Sequence, residues 1–217
     1  MFFCFLIFLS ALADRSGKTA HTMAALWCRT ILMLAGVRVA VKGAEKIPKG
    51  TPVIFLSNHQ GAFDIPALQG ALRAQFRWVA KKSLFKIPFI GWSMYLSGYI
   101  GVKRESATES YKSMEKAAAK IRGGTSVMIF PEGTRSDTGE LLPMKRGAFV
   151  LASKSGVPIV PIAINGTKDI LKRGGFWVRP CDVTITIGDP IPTEGVDEKE
   201  LRPRTRETIA KMLSGMA

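Results

Sequence analysis

The sequence predicts an α/β fold: a mostly parallel sheet flanked by helices, with an apolar helical pair at the N-terminus. Three observations point there. Apolar runs such as Pro52 to Ser57 and Ser126 to Phe130 have the length of buried strands. Longer segments with apolar residues at helical spacing alternate with them, and polar or glycine-containing breaks separate the two kinds. Strand and helix in alternation is the pattern that lays successive strands parallel and covers both faces of the sheet.

Composition divides the chain into residues 1–42, a membrane-associating helical segment, and residues 43–217, the α/β domain. The first thirteen residues, MFFCFLIFLSALA, carry no charge. As a helix they reach about 20 Å, short of the roughly 30 Å hydrocarbon core of a bilayer. A second apolar stretch, Met23 to Val41, is interrupted by Arg29 and Arg38, with the polar link Asp14 to Thr22 before it. Two helices sunk into one leaflet fit this better than two spans. A cleavable leader ending at Ala11-Leu12-Ala13 is the alternative, although no basic residue precedes the apolar run.

In the domain, Pro52 to Ser57 reads as a strand, then Asn58-His59-Gln60-Gly61 as a break and Asp64 to Leu72 as a helix. Phe76 to Ala80 and Tyr99 to Lys103 read as strands on either side of an apolar, aromatic stretch, Ser83 to Ser97. That stretch suits an apolar groove, a lipid-facing surface or buried core. Glu105 to Arg122 is a helix ended by Gly123-Gly124, with Tyr111, Met114, Ala118 and Ile121 on its inner face. Ser126 to Phe130, Pro158 to Asn165 and Val183 to Ile187 are further strands; Arg146 to Ser153 and Glu198 to Leu213 are helices.

Lys and Arg number 31 against 17 Asp and Glu, a net charge of +14 that favours an anionic partner: nucleic acid, an anionic membrane surface or a phosphorylated substrate. The basic residues are dispersed and no nucleic-acid-binding motif accompanies them, so no nucleic acid is expected as a partner, and a basic nucleic-acid-binding protein is the alternative class. Three cysteines (Cys4, Cys28, Cys181) and two histidines (His21, His59) predict neither a disulfide framework nor a metal site. Ser16-Gly17-Lys18-Thr19 imitates the end of a phosphate-binding loop, but Leu12 stands where that loop has its first glycine.

Two constellations can carry chemistry. In Asn58-His59-Gln60-Gly61-Ala62-Phe63-Asp64 the histidine and aspartate are five positions apart. On one regular helix that separation turns the side chains roughly 140° apart, so they meet only if a turn intervenes, and Gly61 permits one. A histidine whose second nitrogen bonds a carboxylate suits removal of a proton from an alcohol; the alternative is a surface loop histidine with Asp64 capping a helix. Phe130-Pro131-Glu132-Gly133-Thr134-Arg135-Ser136 follows a strand, where backbone N–H groups and the Arg135 fork suit a phosphate. There Glu132 can hold a neighbouring arginine or a substrate hydroxyl; the alternative is an ordinary turn.

NHQGAFD, FPEGTRS and VPIVPI, in this order across Val53 to Ile164, resemble three sequence blocks of the glycerophospholipid acyltransferase family, most nearly its bacterial 1-acylglycerol-3-phosphate members. The resemblance implies the glycerol-3-phosphate acyltransferase-like fold, with 43–217 as catalytic domain. It implies His59 as general base, Asp64 as its orienting partner, and Glu132, Gly133, Thr134 and Arg135 at the acceptor's glycerol phosphate. A further block ends here in Lys103-Arg104. Arg104 matches as a substrate-binding residue, whereas Lys103 departs from the family's usual aspartate. Also implied are a lysophospholipid acceptor (lysophosphatidate or another lysolipid such as lyso-ornithine lipid) and a thioester donor on acyl carrier protein or coenzyme A. No cofactor beyond that co-substrate is implied, and the location is the cytoplasmic face of the cell inner membrane. No GxSxG nucleophile turn is present, so direct transfer is expected.

Overall fold

The computed structural model describes Ile7, Asp14 and residues 16–102, 107–172 and 174–216, the side chains of 107–112 excepted. The first apolar stretch, its cleavage-site alternative and Arg104 lie outside the described residues. Among the described residues seven strands form one sheet: β1 (Arg38–Lys42), β2 (Ile54–Ser57), β3 (Arg77–Lys81), β4 (Ile100–Val102), β5 (Val127–Ile129), β6 (Ile159–Asn165) and β7 (Asp182–Ile187). The helices are α1 (Lys18–Leu34), α2 (Asp64–Ala71), α3 (Ile90–Leu96), α4 (Ala107–Arg122), α5 (Arg146–Ser155) and α6 (Glu198–Ser214). Strand order is β1-β7-β6-β2-β5-β3-β4, and every pairing is parallel except β6 with β7.

The central strands β2, β5 and β6 are apolar up to their last residues, Ser57 and Asn165 in β2 and β6, because both faces of the sheet are covered. In β2, Ile54 and Leu56 pack with Ala118 and Ile121 of α4, Phe149 and Leu151 of α5, and Leu201 and Ile209 of α6. Phe55, between them, points to the other face and packs with Leu32 of α1 and Ala67 and Leu68 of α2. The two-residue alternation of a strand thus feeds two separate apolar layers.

Two boundaries differ from expectation. The sheet begins at Arg38, inside the 1–42 segment assigned to membrane association, because Val39 and Val41 add to one face while Arg38 and Lys42 turn outward. The second N-terminal helix runs Lys18–Leu34, taking in half of the supposed polar link, and packs Ala25, Cys28 and Leu32 inward. It also exposes Leu26, Trp27, Met33 and Leu34. Among the described residues no helix is long and apolar enough to cross a membrane.

Candidate active site

Strands β2, β3, β5 and β6 run in one direction, so the loops at their C-terminal ends share one pole of the sheet. Neighbouring β2 and β5 place the His59 loop beside the turn that begins at Phe130. His59 Nδ1 lies 2.5 Å from Asp64 Oδ2. The same oxygen accepts the backbone N–H groups of Gln60 at 2.6 Å and Gly61 at 2.9 Å. The other carboxylate oxygen accepts the Thr167 hydroxyl. Asp64 is fully buried and stands in the first turn of α2, where the helix dipole favours an anion.

The turn between the two residues needs glycine for space rather than for an unusual backbone angle. A Cβ on Gly61 would stand 2.6 Å from the Thr167 carbonyl oxygen. Asn58 ties the loop to β6, donating to the Ile164 carbonyl at 2.9 Å and accepting the Ile164 N–H at 2.8 Å. The His59 ring stacks on Phe130, centroids 3.9 Å apart at 7°, and Phe130 in turn rests on Trp78 at 5.3 Å. The imidazole is therefore fixed by a carboxylate at its edge and an aromatic ring on its face.

Glu132 is buried against the His59 loop. Its Oε1 accepts the His59 N–H at 2.7 Å, its Oε2 accepts the Leu142 N–H at 2.9 Å, and it is 2% exposed. Burial pushes its carboxyl group above the ordinary carboxylate value, while the two amides pull the other way. It braces the His59 backbone, a part in addition to the substrate or arginine contact expected of it.

Gly133, at φ 73, reverses the chain and leaves Thr134 and Arg135 exposed. Ser136 then returns to the loop, its N–H donating to the His59 carbonyl at 2.8 Å. The structure thus brings His59, Asp64 and Glu132 together and leaves Arg135 one residue from a direct bond to the histidine loop. Thr167 and Phe130 were not anticipated. Phe130 stood at the head of a recognised block, whereas nothing local marks Thr167.

The Ser83 to Ser97 stretch is not core. Leu84, Ile87, Phe89, Ile90, Trp92 and Tyr95 are exposed, which overturns the buried alternative. A cleft of about 1180 Å³ lined by Lys49, Val53, Leu72 and Ser126 opens at the opposite pole and includes none of the site residues. Among the described residues no three His, Cys, Asp or Glu side chains gather as a metal site would require.

A mostly parallel sheet whose strand ends hold a histidine against a buried aspartate, beside a glycine turn bearing an arginine, matches one class of protein. The Acyltransferase family profile covers residues 38–165, and the chain belongs to the glycerophospholipid acyltransferase family. Its relatives narrow the comparison to enzymes that bear the name 1-acyl-sn-glycerol-3-phosphate acyltransferase. The chloroplastic BAT2 of Brassica napus is 36% identical over 176 residues, 80% of this chain and 51% of its own length. The human alpha enzyme is 35% identical over 185 residues, 82% of this chain and 65% of its own length. The chain spans about half the length of the plant relatives it matches. The crystal structure of the 1-acyl-sn-glycerophosphate (LPA) acyltransferase PlsC from Thermotoga maritima is similar at a TM-score of 0.85 and 27% identity, covering 99% of this chain and 88% of that one.

Proposed function

We propose that this chain transfers a fatty acyl group from a thioester donor to the sn-2 hydroxyl of 1-acyl-sn-glycerol 3-phosphate, forming phosphatidic acid. The observation that carries the reading is the His59 imidazole held through Nδ1 by the buried Asp64 carboxylate. This pairing keeps the proton on Nδ1 and presents Nε2 as the base. His59 takes the acceptor hydroxyl proton as the oxygen attacks the thioester carbonyl carbon. The carbon–sulfur bond then breaks, the new ester forms, and the departing thiolate takes the proton from the imidazolium, which Asp64 has stabilised meanwhile. Backbone N–H groups at the strand ends are the natural donors for the transient oxyanion.

Thr134 and Arg135, on the open side of their turn, hold the acceptor phosphate, and the family resemblance adds Arg104 as a further substrate-binding residue. Glu132 and Gly133 shape that turn. The donor arm is phosphopantetheine, common to acyl carrier protein and coenzyme A, and the co-substrate brings the only activated group the chemistry requires. The reaction is assigned to the cytoplasmic face of the cell inner membrane, where an amphiphilic acceptor meets a water-soluble donor. Exposed apolar side chains of α1 and α3 support a lipid-facing surface.

The test is turnover by the purified chain with lysophosphatidate and lyso-ornithine lipid, each crossed with both donors. Lysophosphatidate is expected to be the better acceptor, and His59→Ala should lower kcat by about 10⁴-fold with an unchanged melting temperature. Turnover surviving in that variant removes the proposed base. Arg135→Ala should cost about 10–100-fold in kcat/KM for the phosphorylated acceptor, the weight of a charged hydrogen bond. It should leave an acceptor without phosphate nearly unaffected; equal losses on both acceptors refute phosphate recognition by Arg135.

A further inference from the structure

We propose that the loop tip formed by residues 174–179 is a foot that inserts into an anionic lipid surface and sets the catalytic pole against it. The proposal rests on the reading above, in which the acceptor is drawn from a bilayer.

At the tip of this loop Phe176 is 94% exposed and Trp177 is 86% exposed, with the half-exposed Val178 beside them. Single apolar residues on a surface are ordinary, but two adjacent large aromatics left almost wholly in water are not. Lys172 and Arg179, both exposed, flank them; the nearest acids along the chain, Asp169 and Asp182, lie outside the loop, and Asp182 is paired with Arg38. Aromatic rings between cations are the composition of a segment that sits at headgroup level, rings among the acyl chains and charges among anionic headgroups. That charge complementarity, in a chain of net charge +14, selects an anionic bilayer over an apolar groove on another protein.

The loop is built to hold its tip out. Ile170 is fully buried, and its carbonyl accepts the Arg179 N–H at 2.8 Å, pinching the base shut. A turn closed by Gly175 N–H on the Lys172 carbonyl at 2.9 Å leads into the aromatic pair. Its position ties it to the chemistry. The segment leaves β6 at the pole that carries His59, and Thr167, three residues before the buried Ile170, donates its hydroxyl to Asp64. Lys168 reaches across to the Thr138 carbonyl at 3.3 Å, joining the base to the loop that follows Arg135. A foot fixed to the catalytic acid in this way holds the dyad at one depth relative to the lipid it stands on. On the other side of His59, the excursion after β3 bears the exposed Phe89 and Trp92, so aromatic groups flank the site on both sides.

The test is flotation of the purified full chain with phosphatidylcholine vesicles, with and without phosphatidylglycerol and with no substrate present. The Phe176→Ser/Trp177→Ser variant should bind both kinds of vesicle more weakly, on the order of tenfold per ring lost. Lys172→Ala/Arg179→Ala should weaken only the anionic vesicles, about fivefold per charge. Turnover of a short-chain acceptor dissolved as monomers should stay at the parent level in the aromatic variant, while turnover of vesicle-borne acceptor falls. Flotation of the aromatic variant indistinguishable from the parent overturns the foot. Loss of turnover on the dissolved acceptor equal to that on vesicles also overturns it. A parent chain inert toward every acceptor would sink the proposed reaction instead, and the flotation result would still decide the foot.

Discussion

Helix α2 has one of the chain's two histidines at each end, and the two are chemically opposite. At its N-terminal end His59 meets a carboxylate. Toward its C-terminal end His21, on α1, is 3% exposed and lies 3.3 Å from the Gln69 amide nitrogen and 3.3 Å from the Ala74 carbonyl oxygen, edge-on to Phe76. No acid approaches it through these contacts. Burial pushes its pKa down to about 4, and the nearby Arg77 guanidinium pushes the same way. The dipole of a helix favours imidazolium at its C-terminal end, yet desolvation outweighs that here. A hydrogen-bonded histidine is therefore not a base by virtue of being held. Burial without an acid keeps a ring neutral through any reaction, whereas a fixed carboxylate stabilises the imidazolium that proton abstraction creates.

The sharpest way to break this contrast is Asp64→Asn. The amide oxygen can keep the Gln60 and Gly61 N–H bonds, and the amide nitrogen can face the Thr167 hydroxyl, so the turn should survive. What disappears is the negative charge. The expected outcome is a kcat about 10³-fold lower with KM little changed, measured beside a thermal melt that shows the fold intact. A variant that keeps parent-level kcat would mean that His59 needs no more than the hydrogen bonding His21 already has, and the distinction between the two rings would collapse.

The same comparison shows what a linear reading can reach. His59 and Asp64 were legible because strand, turn and helix follow one another within a few residues, so local geometry decides whether the pair can meet. Thr167 was not, since it comes 103 positions after the acid it donates to and looks like any threonine past a strand. The bracing role of Glu132 was hidden for a related reason. A glutamate beside a glycine turn looks solvated, and only the fold reveals that the His59 and Leu142 amides require an acceptor there. In the sheet, β2, β5 and β6 announced themselves because burial on both faces makes them apolar along almost their whole length. Strand β1 did not. It is an edge strand with half-buried valines between exposed residues, and its Arg38 pairs with Asp182, 144 positions away. Gly61 was read as freedom to turn, when its role is to admit the Thr167 carbonyl.

The smallest expected effect concerns His21 and appears in stability rather than in turnover. Its folded pKa of about 4 lies below the 6.5 of an ordinary histidine. Between those values the unfolded chain binds a proton that the folded chain refuses, so stability is fully present above about pH 6.5 and falls as the pH drops toward 4. The shift corresponds to about 3 kcal/mol across that window. His21→Phe keeps an aromatic edge against Phe76 and cannot titrate. It gives up the contacts with Ala74 and Gln69, a cost of about 1–2 kcal/mol at pH 7.5. Denaturant midpoints measured from pH 7.5 down to 4 should therefore begin lower in the variant and converge with, or cross, the parent curve on acidification. The slope common to both chains belongs to their carboxylates, and the difference isolates the ring. Parallel curves would show that His21 is protonated in the folded chain, and burial alone would then no longer separate it from His59.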